Sequence, residues 1–365
     1  MSRFPRFPVA LLVALAVVVA AATVTSGQQP SVFTPGGMLP VLELYLEPLR
    51  QQAGIPGMSA AVASEGKVIW EKGYGFQNVA ARDRATPDTP YLIGDMSDTL
   101  AAILLLQCVE QRRVGLDDPF ARYGLTTPEP EATLRGLLSH AAPASSREPF
   151  AYNQERFAAL TGLMEWCAPQ PYRKSVAHRL LDRLAMQDSV PGTDLIDPGF
   201  VLADGLFEAE DVSRYRDVLS RIAVPYKVTG RTKVDRSDLP LIPMSAANGL
   251  VSTVRDLSVL DGSLDQGLLL ENETLAAAWT AVGERNGTPS PMGLGWFVQY
   301  YRGERVVWHF GSVPNAYSSL ILKLPLRKIT FILLANSDGL SAPFQLPAGD
   351  VTRSPFASLF LKLTT

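Results

Sequence analysis

The chain reads as an α+β protein: an antiparallel sheet flanked by N- and C-terminal helices, with a mostly helical second part set between its strands. Three patterns predict this. Apolar runs around a turn suggest a hairpin at 57–74, helical periodicity recurs between Thr99 and Leu260, and four β-branched or aromatic runs crowd positions 295–335. With 365 residues, 47% of them hydrophobic, the chain can bury one large core or two intimate ones. Its 33 basic against 36 acidic side chains leave a net charge of -3, without the basic footprint that nucleic-acid or polybasic membrane binding requires.

Arg3 and Arg6 precede the uncharged run from Val9 to Val24, and the small residues Thr25, Ser26 and Gly27 follow. This is the plan of a secretory signal over residues 1–27, cut near Ser26 or Gly27, and the apolar run is shorter than a spanning helix needs. The alternative is an uncleaved N-terminal anchor. The expected location is therefore exported, periplasmic or extracellular, with membrane contact only through that segment if it is retained.

Leu39 to Gln52 repeats apolar residues at helical spacing and predicts an amphipathic helix. Gly57 to Val62 and Val68 to Tyr74 flank Ser64-Glu65-Gly66-Lys67 and predict the hairpin. Helices are expected at Thr99–Arg112, Glu131–Ser139, Arg156–Cys167, Val176–Leu184 and Thr253–Leu260, with a polar surface loop at Lys227–Leu239. Strands are expected at Gly295–Tyr301, Arg305–His309, Ser318–Leu324 and Ile329–Ala335, and a closing helix at Pro355–Leu363. The folded domain is then 37–365, an α/β part formed by 37–94 with 245–365 and a helical part at 95–244. Cys108 and Cys167 both fall in helix-like stretches; the reading favours two buried free thiols, with a bridge permitted if those helices lie side by side.

Several junctions carry a more specific signal. Tyr91-Leu92-Ile93-Gly94 opens the first long helix, Val114 to Pro119 follows it, and Thr133-Leu134-Arg135-Gly136-Leu137-Leu138-Ser139-His140 comes next. Tyr152-Asn153-Gln154, Asn248-Gly249-Leu250 with Ser252, Thr253 and Asp256, and His309-Phe310-Gly311-Ser312 complete the series. In order and content this set resembles the serine β-lactamase-like hydrolases, the group that holds class C β-lactamases, D-alanyl-D-alanine carboxypeptidases and related esterases. The resemblance implies their chemistry: a Ser at a helix start attacks a carbonyl, a Lys three residues on shares its helix face, a Tyr moves the proton, and backbone N–H groups hold the oxyanion. It also implies that His309-Phe310-Gly311 is the family's Lys/His-x-Gly motif on the sheet edge.

The first motif departs from the family. Where Ser-x-x-Lys is expected the chain reads Asp95-Met96-Ser97-Asp98. Only Lys67 has a Ser three positions before it, and that pair lies in the hairpin turn. A carboxylate attacking an amide or ester would form an uphill anhydride, and two anions near Tyr152 should raise its pKa. Gln154 stands for the family's Asn, and Phe310 would crowd a carboxylate-binding spot. The expectation is a pseudoenzyme with no confident catalytic residue, its family-equivalent positions being Asp95, Asp98, Tyr152, Gln154, His309 and Gly311, that keeps a cleft at Asp95, Tyr152, Gln154, His309, Phe310 and Ser312 for binding or scaffolding. Its partner would be a small molecule or a component of the cell envelope, with no metal and no cofactor required. The alternative is hydrolysis of an ester, amide or β-lactam-like substrate through Asp95, Asp98 and Tyr152. A bland role for the two Asp is to cap the helix that follows.

Overall fold

Gly57–Ser64 (β1) and Lys67–Asn78 (β2) pair antiparallel through a two-residue turn in which Glu65 and Gly66 take φ of 50° and 76°, the double left-handed geometry that matches strand twist. Ser64 and Lys67 are cross-strand partners in this hairpin, so their Ser-x-x-Lys spacing has no helix to act on. The computed structural model describes residues 35–365 apart from 126–128, 143–145, 147–148, 198, 200–204, 231–232 and 286–287. The 1–27 leader lies outside the described residues, and no described helix is long and apolar enough to cross a membrane.

Helix α1 (Pro35–Gln52) precedes the hairpin, and short strands β3 (Asp83–Arg84) and β4 (Tyr91–Leu92) follow it. Next come helices α2 (Ser97–Glu110), α3 (Leu134–Leu138), α4 (Gln154–Ala158), α5 (Leu160–Cys167) and α6 (Tyr172–Val176), strand β5 (Val190–Pro191), helix α7 (Ala209–Ser220) and the hairpin β6 (Tyr226–Val228) with β7 (Val234–Arg236). Strand β8 (Leu250–Ser252), helices α8 (Val254–Asp265) and α9 (Asn272–Ala278) and the short pair β9 (Glu284–Arg285) and β10 (Thr288–Pro289) lead to β11 (Phe297–Tyr301), β12 (Glu304–Val313), β13 (Tyr317–Leu324), β14 (Ile329–Ala335) and helix α10 (Pro355–Thr364).

The two ends of the chain meet in one seven-stranded sheet of order β11-β12-β13-β14-β1-β2-β3, antiparallel throughout, with β14 joined to β1 from Met58↔Ala335 to Ser64↔Ile329. Both of its faces are covered. Thr330 donates a hydrogen bond to Asp261 of α8, while its neighbour Phe331, pointing the other way as strand pleating requires, stacks on Phe360 of α10 at 4.8 Å. Every residue of β14 is buried, which explains why it reads as a continuous apolar run rather than an alternating one.

Helix α2 is buried from Ser97 to Cys108 on all sides, so it is the axis of the helical part rather than an amphipathic surface helix. Cys108 on α2 is disulfide-bonded to Cys167 on α5, with 6.4 Å between their Cα atoms. This corrects the free-thiol expectation: the helices do pack side by side, a distance that residues 59 apart in sequence do not disclose. Other differences are local. The expected 156–167 helix is divided at Ala159, the 176–184 helix is α6 followed by a π turn at Ala177–Asp182, and the Lys227–Leu239 loop contains the β6–β7 hairpin. Helices α7 and α9 go beyond the sequence reading.

Removing the bridge with Cys108→Ala and Cys167→Ala should lower stability by about 2–4 kcal/mol, read as a lower urea midpoint in the absence of reductant. An unchanged midpoint, equal with and without reductant, would show that the bridge contributes nothing.

Candidate functional site

The site is set by a close approach between a turn and a strand. Leu92 pairs with Val251, and Ile93 donates its N–H to the Leu250 carbonyl at 2.9 Å, delivering the chain to a 3-10 turn at Gly94–Met96 that runs directly into α2. Ser319 of β13 donates to the Ile93 carbonyl at 2.7 Å. A Cβ on Gly311 would lie 1.8 Å from that same carbonyl oxygen, and one on Gly94, whose φ is +62°, 2.8 Å from the Ser312 nitrogen. Only glycine fits at both positions, so Gly94 and Gly311 bring the start of α2 onto β12. β11 reaches only as far as Trp308 along β12, so residues 309–313 have a locally open edge there despite lying on the penultimate strand.

Asp95 and Asp98 stand at i and i+3 on this start. Neither caps the helix: the 3-10 turn is continuous with α2, whose N-cap residue is Met96, and no side chain satisfies its first N–H groups. The capping role is therefore replaced by another set of contacts. Tyr152 donates to Asp95 Oδ2 at 3.2 Å, and the Gln154 amide donates to both the Tyr152 hydroxyl at 2.6 Å and Asp98 Oδ2 at 2.9 Å. Asp98 is fully buried, while Asp95 keeps 9% of its surface.

Two histidines close around Asp98, and their partners fix their tautomers. The Asn153 N–H donates to His140 Nδ1 at 3.2 Å, so the neutral ring carries its proton on Nε2, 3.4 Å from Asp98 Oδ2. His309 Nδ1 lies 2.7 Å from the Phe310 carbonyl, which can only accept, so its proton is on Nδ1 and the bare Nε2 faces Asp98 Oδ2 at 3.6 Å. Burial, with His309 and Arg156 nearby, pushes His140 down to about 3, and burial pushes His309 down to about 4. Burial raises Asp95 to about 7, and burial together with the neighbouring Asp95 holds Asp98 well above the carboxylate range. Both histidines are thus neutral at pH 7, and Asp98 is assigned as the neutral acid.

Aromatic rings surround Tyr152. Tyr152 packs on His140 (4.4 Å between centroids), Phe310 (5.3 Å) and Phe297 (5.8 Å), and Phe150 lies 6.0 Å from Phe297 and 6.5 Å from Tyr152. Burial, then Asp95 and Asp98, raise the Tyr152 hydroxyl far above its ordinary pKa. A phenol held neutral, donating to one acid and accepting from an amide, is a poor proton acceptor.

The structure thus brings together Asp95, Asp98, Tyr152, Gln154, His309, Phe310, Gly311 and Ser312. His140, Phe150 and Phe297 join them without having been singled out as site residues; the signal for His140 was its place at the end of the Thr133–His140 segment, whereas the two Phe come from distant loops and strands. Ser97 is buried with no hydrogen-bond partner for its Oγ, and His178 is exposed and paired with Asp182. Among the described residues no group of three or more His, Cys, Asp or Glu side chains is arranged to hold a metal ion.

This architecture, with a helix start docked on a sheet beside a Tyr segment and a His-x-Gly strand, is that of the penicillin-binding and β-lactamase-like proteins. The Beta-lactamase family model matches residues 42–350, and the chain belongs to that family. Among curated relatives, Protein flp of Staphylococcus aureus (strain MW2) is 21% identical over 81% of this chain and 62% of its own length, and a D-aminopeptidase of Brucella canis is 24% identical over 75% and 55%. The chain therefore spans little more than half the length of these relatives. Among solved structures, the octameric penicillin-binding protein homologue from Pyrococcus abyssi aligns with a TM-score of 0.68 and 22% identity, covering 90% of this chain and 78% of its own.

Asp95 supplies a pH test of this geometry. Its carboxyl is ordinary, near 3.8, when unfolded and about 7 when folded, so its contribution to stability is fully present below about 4 and is lost as pH rises through 7. Asp95→Asn escapes that loss. The variant should exceed the wild type by about 1–3 kcal/mol at pH 8, with the gap closing toward pH 5, in paired urea titrations. A variant less stable than wild type at pH 8 would contradict the assigned burial cost.

Proposed function

We propose that this chain is an exported, non-acylating member of the β-lactamase family that keeps the site for binding or scaffolding in the cell envelope. One observation carries the reading: carboxyl groups occupy the positions at which the family places its nucleophilic Ser and its Lys. Asp98, buried and neutral, cannot supply the cation that activates a nucleophile, and attack by Asp95 on an acyl carbon would yield a mixed anhydride. Tyr152, the remaining proton carrier, is tied to Asp95 and Gln154. Loss of members of such a unit costs on the order of 10⁶ in turnover. Export is supported by the leader pattern and by the Cys108–Cys167 bridge, since disulfides persist in oxidising compartments.

A fluorescent penicillin and an activated ester, each followed by intact mass, should leave the wild type unmodified. A covalent adduct at Asp95 or Ser97 would overturn the reading. The pKa of about 7 at Asp95 favours one second reading, in which Asp95 activates water for ester or amide hydrolysis beside the acid Asp98. Turnover of an ester and peptide panel that Asp95→Asn abolishes, with no covalent adduct, would establish that reading; no turnover above the variant would remove it.

A further inference from the structure

We propose that the site at Asp95 binds a primary organic ammonium, with the Asp95 carboxylate taking the charge and the partly exposed rings of Phe150 and Tyr152 taking the adjoining apolar body. This deepens the binding reading above and rests on it. The accessible acid comes first. Asp95 retains 9% of its surface while Asp98 behind it retains none. Among the described residues Asp98 pairs only with His140 and His309, and Asp95 has no ion-pair partner, so the family's cation is replaced without a substitute from the chain.

The surroundings select the sign of the ligand. Phe150 and Tyr152 are partly exposed and are backed by the buried rings of Phe297 and Phe310. An ammonium is attracted by the Asp95 carboxylate and tolerated by an aromatic lining, whereas a carboxylate ligand would be repelled by Asp95.

Donor and acceptor counts point the same way. Asp98 Oδ1, Gln154 Oε1 and His309 Nε2 are buried without a hydrogen-bond partner, as is Ser97 Oγ. The first three include two oxygens able to accept and a ring nitrogen whose proton sits on the opposite atom, its lone pair aimed at Asp98. With the proton of neutral Asp98 directed at His309 Nε2, Asp98 Oδ1 and Gln154 Oε1 remain as acceptors without a donor. An ammonium group brings three N–H donors and no acceptor; a hydroxyl brings one donor, and a carboxylate none.

Asp98 from the same helix start and Tyr152 from the segment after α3 are the titratable groups acting with Asp95, while His140 and, from β12, His309 face Asp98 behind it and Arg156 acts on His140. An ammonium ligand selects the ionised form of Asp95. Because Asp95 sits at about 7 when empty, affinity falls as pH drops through 7, by about tenfold from pH 8 to pH 6, and binding at pH 7 releases about half a proton per site.

Calorimetric titration of the full chain with 2-phenylethylamine, its neutral isostere 2-phenylethanol and 3-phenylpropanoate decides the matter. The expected result is amine binding at pH 8 at least tenfold tighter than the alcohol, no heat from the carboxylate, about tenfold weakening at pH 6, and buffer-dependent heats that report proton release. Asp95→Asn should remove the amine preference, with circular dichroism checking its fold; should that variant not fold, the amine against alcohol comparison on the wild type still decides. Equal affinity for amine and alcohol, preference for the carboxylate, or no binding of any of the three would overturn the ammonium site. Those outcomes leave the non-acylating reading standing, whereas a penicillin adduct would overturn that reading itself.

Discussion

A carboxyl group removed from water without a cation beside it is costly in its charged form, and the centre of this protein is organised around that cost at Asp98. The protein meets it by neutrality. Two histidines that burial keeps uncharged and an amide from Gln154 surround the acid, and each is oriented by a backbone group: the Asn153 N–H holds His140, and the Phe310 carbonyl holds His309. Gln154 and His140 present donors toward Asp98, and the bare Nε2 of His309 presents an acceptor for its proton. The surroundings of Asp98 therefore suit a neutral acid.

That matching depends on backbone contacts made before any side chain is considered. Gly311 and Gly94 let the turn lie against β12, Ser319 fixes the Ile93 carbonyl, and the three-strand pairing of β4, β8 and β5 holds the approach to the turn. On the far side, the Cys108–Cys167 bridge ties the axis helix α2 to α5. The family scaffold is retained, and the proposal that its reactive groups are exchanged accords with function residing in a site grafted on a fold.

The legible parts of this architecture were those written locally. Ile329–Ala335 is a β-branched run with clear ends, and it is the strand β14 to the residue. Asp95 and Asp98 lie at the helix start where the flanking motifs place them. What was not legible depended on distance. The disulfide required two helices to pack, and the ring of Phe150, Phe297 and Phe310 about Tyr152 joins a loop to two strands. The expected capping by the two Asp failed because a 3-10 turn enters α2 without a break, so the carboxyls turn inward instead. Helix α7 was hidden by its charged sequence, although Tyr215, Val218 and Leu219 form its buried stripe.

The central claim is that Asp98 is a neutral acid held between two neutral, oppositely protonated histidines. Ring-nitrogen NMR tests it directly, because the chain has only three histidines to assign. At pH 6 the account predicts His140 protonated on Nε2 alone and His309 on Nδ1 alone. A doubly protonated His309 at that pH would mean that the proton has left Asp98 for the ring, making a buried ion pair and contradicting the neutral centre.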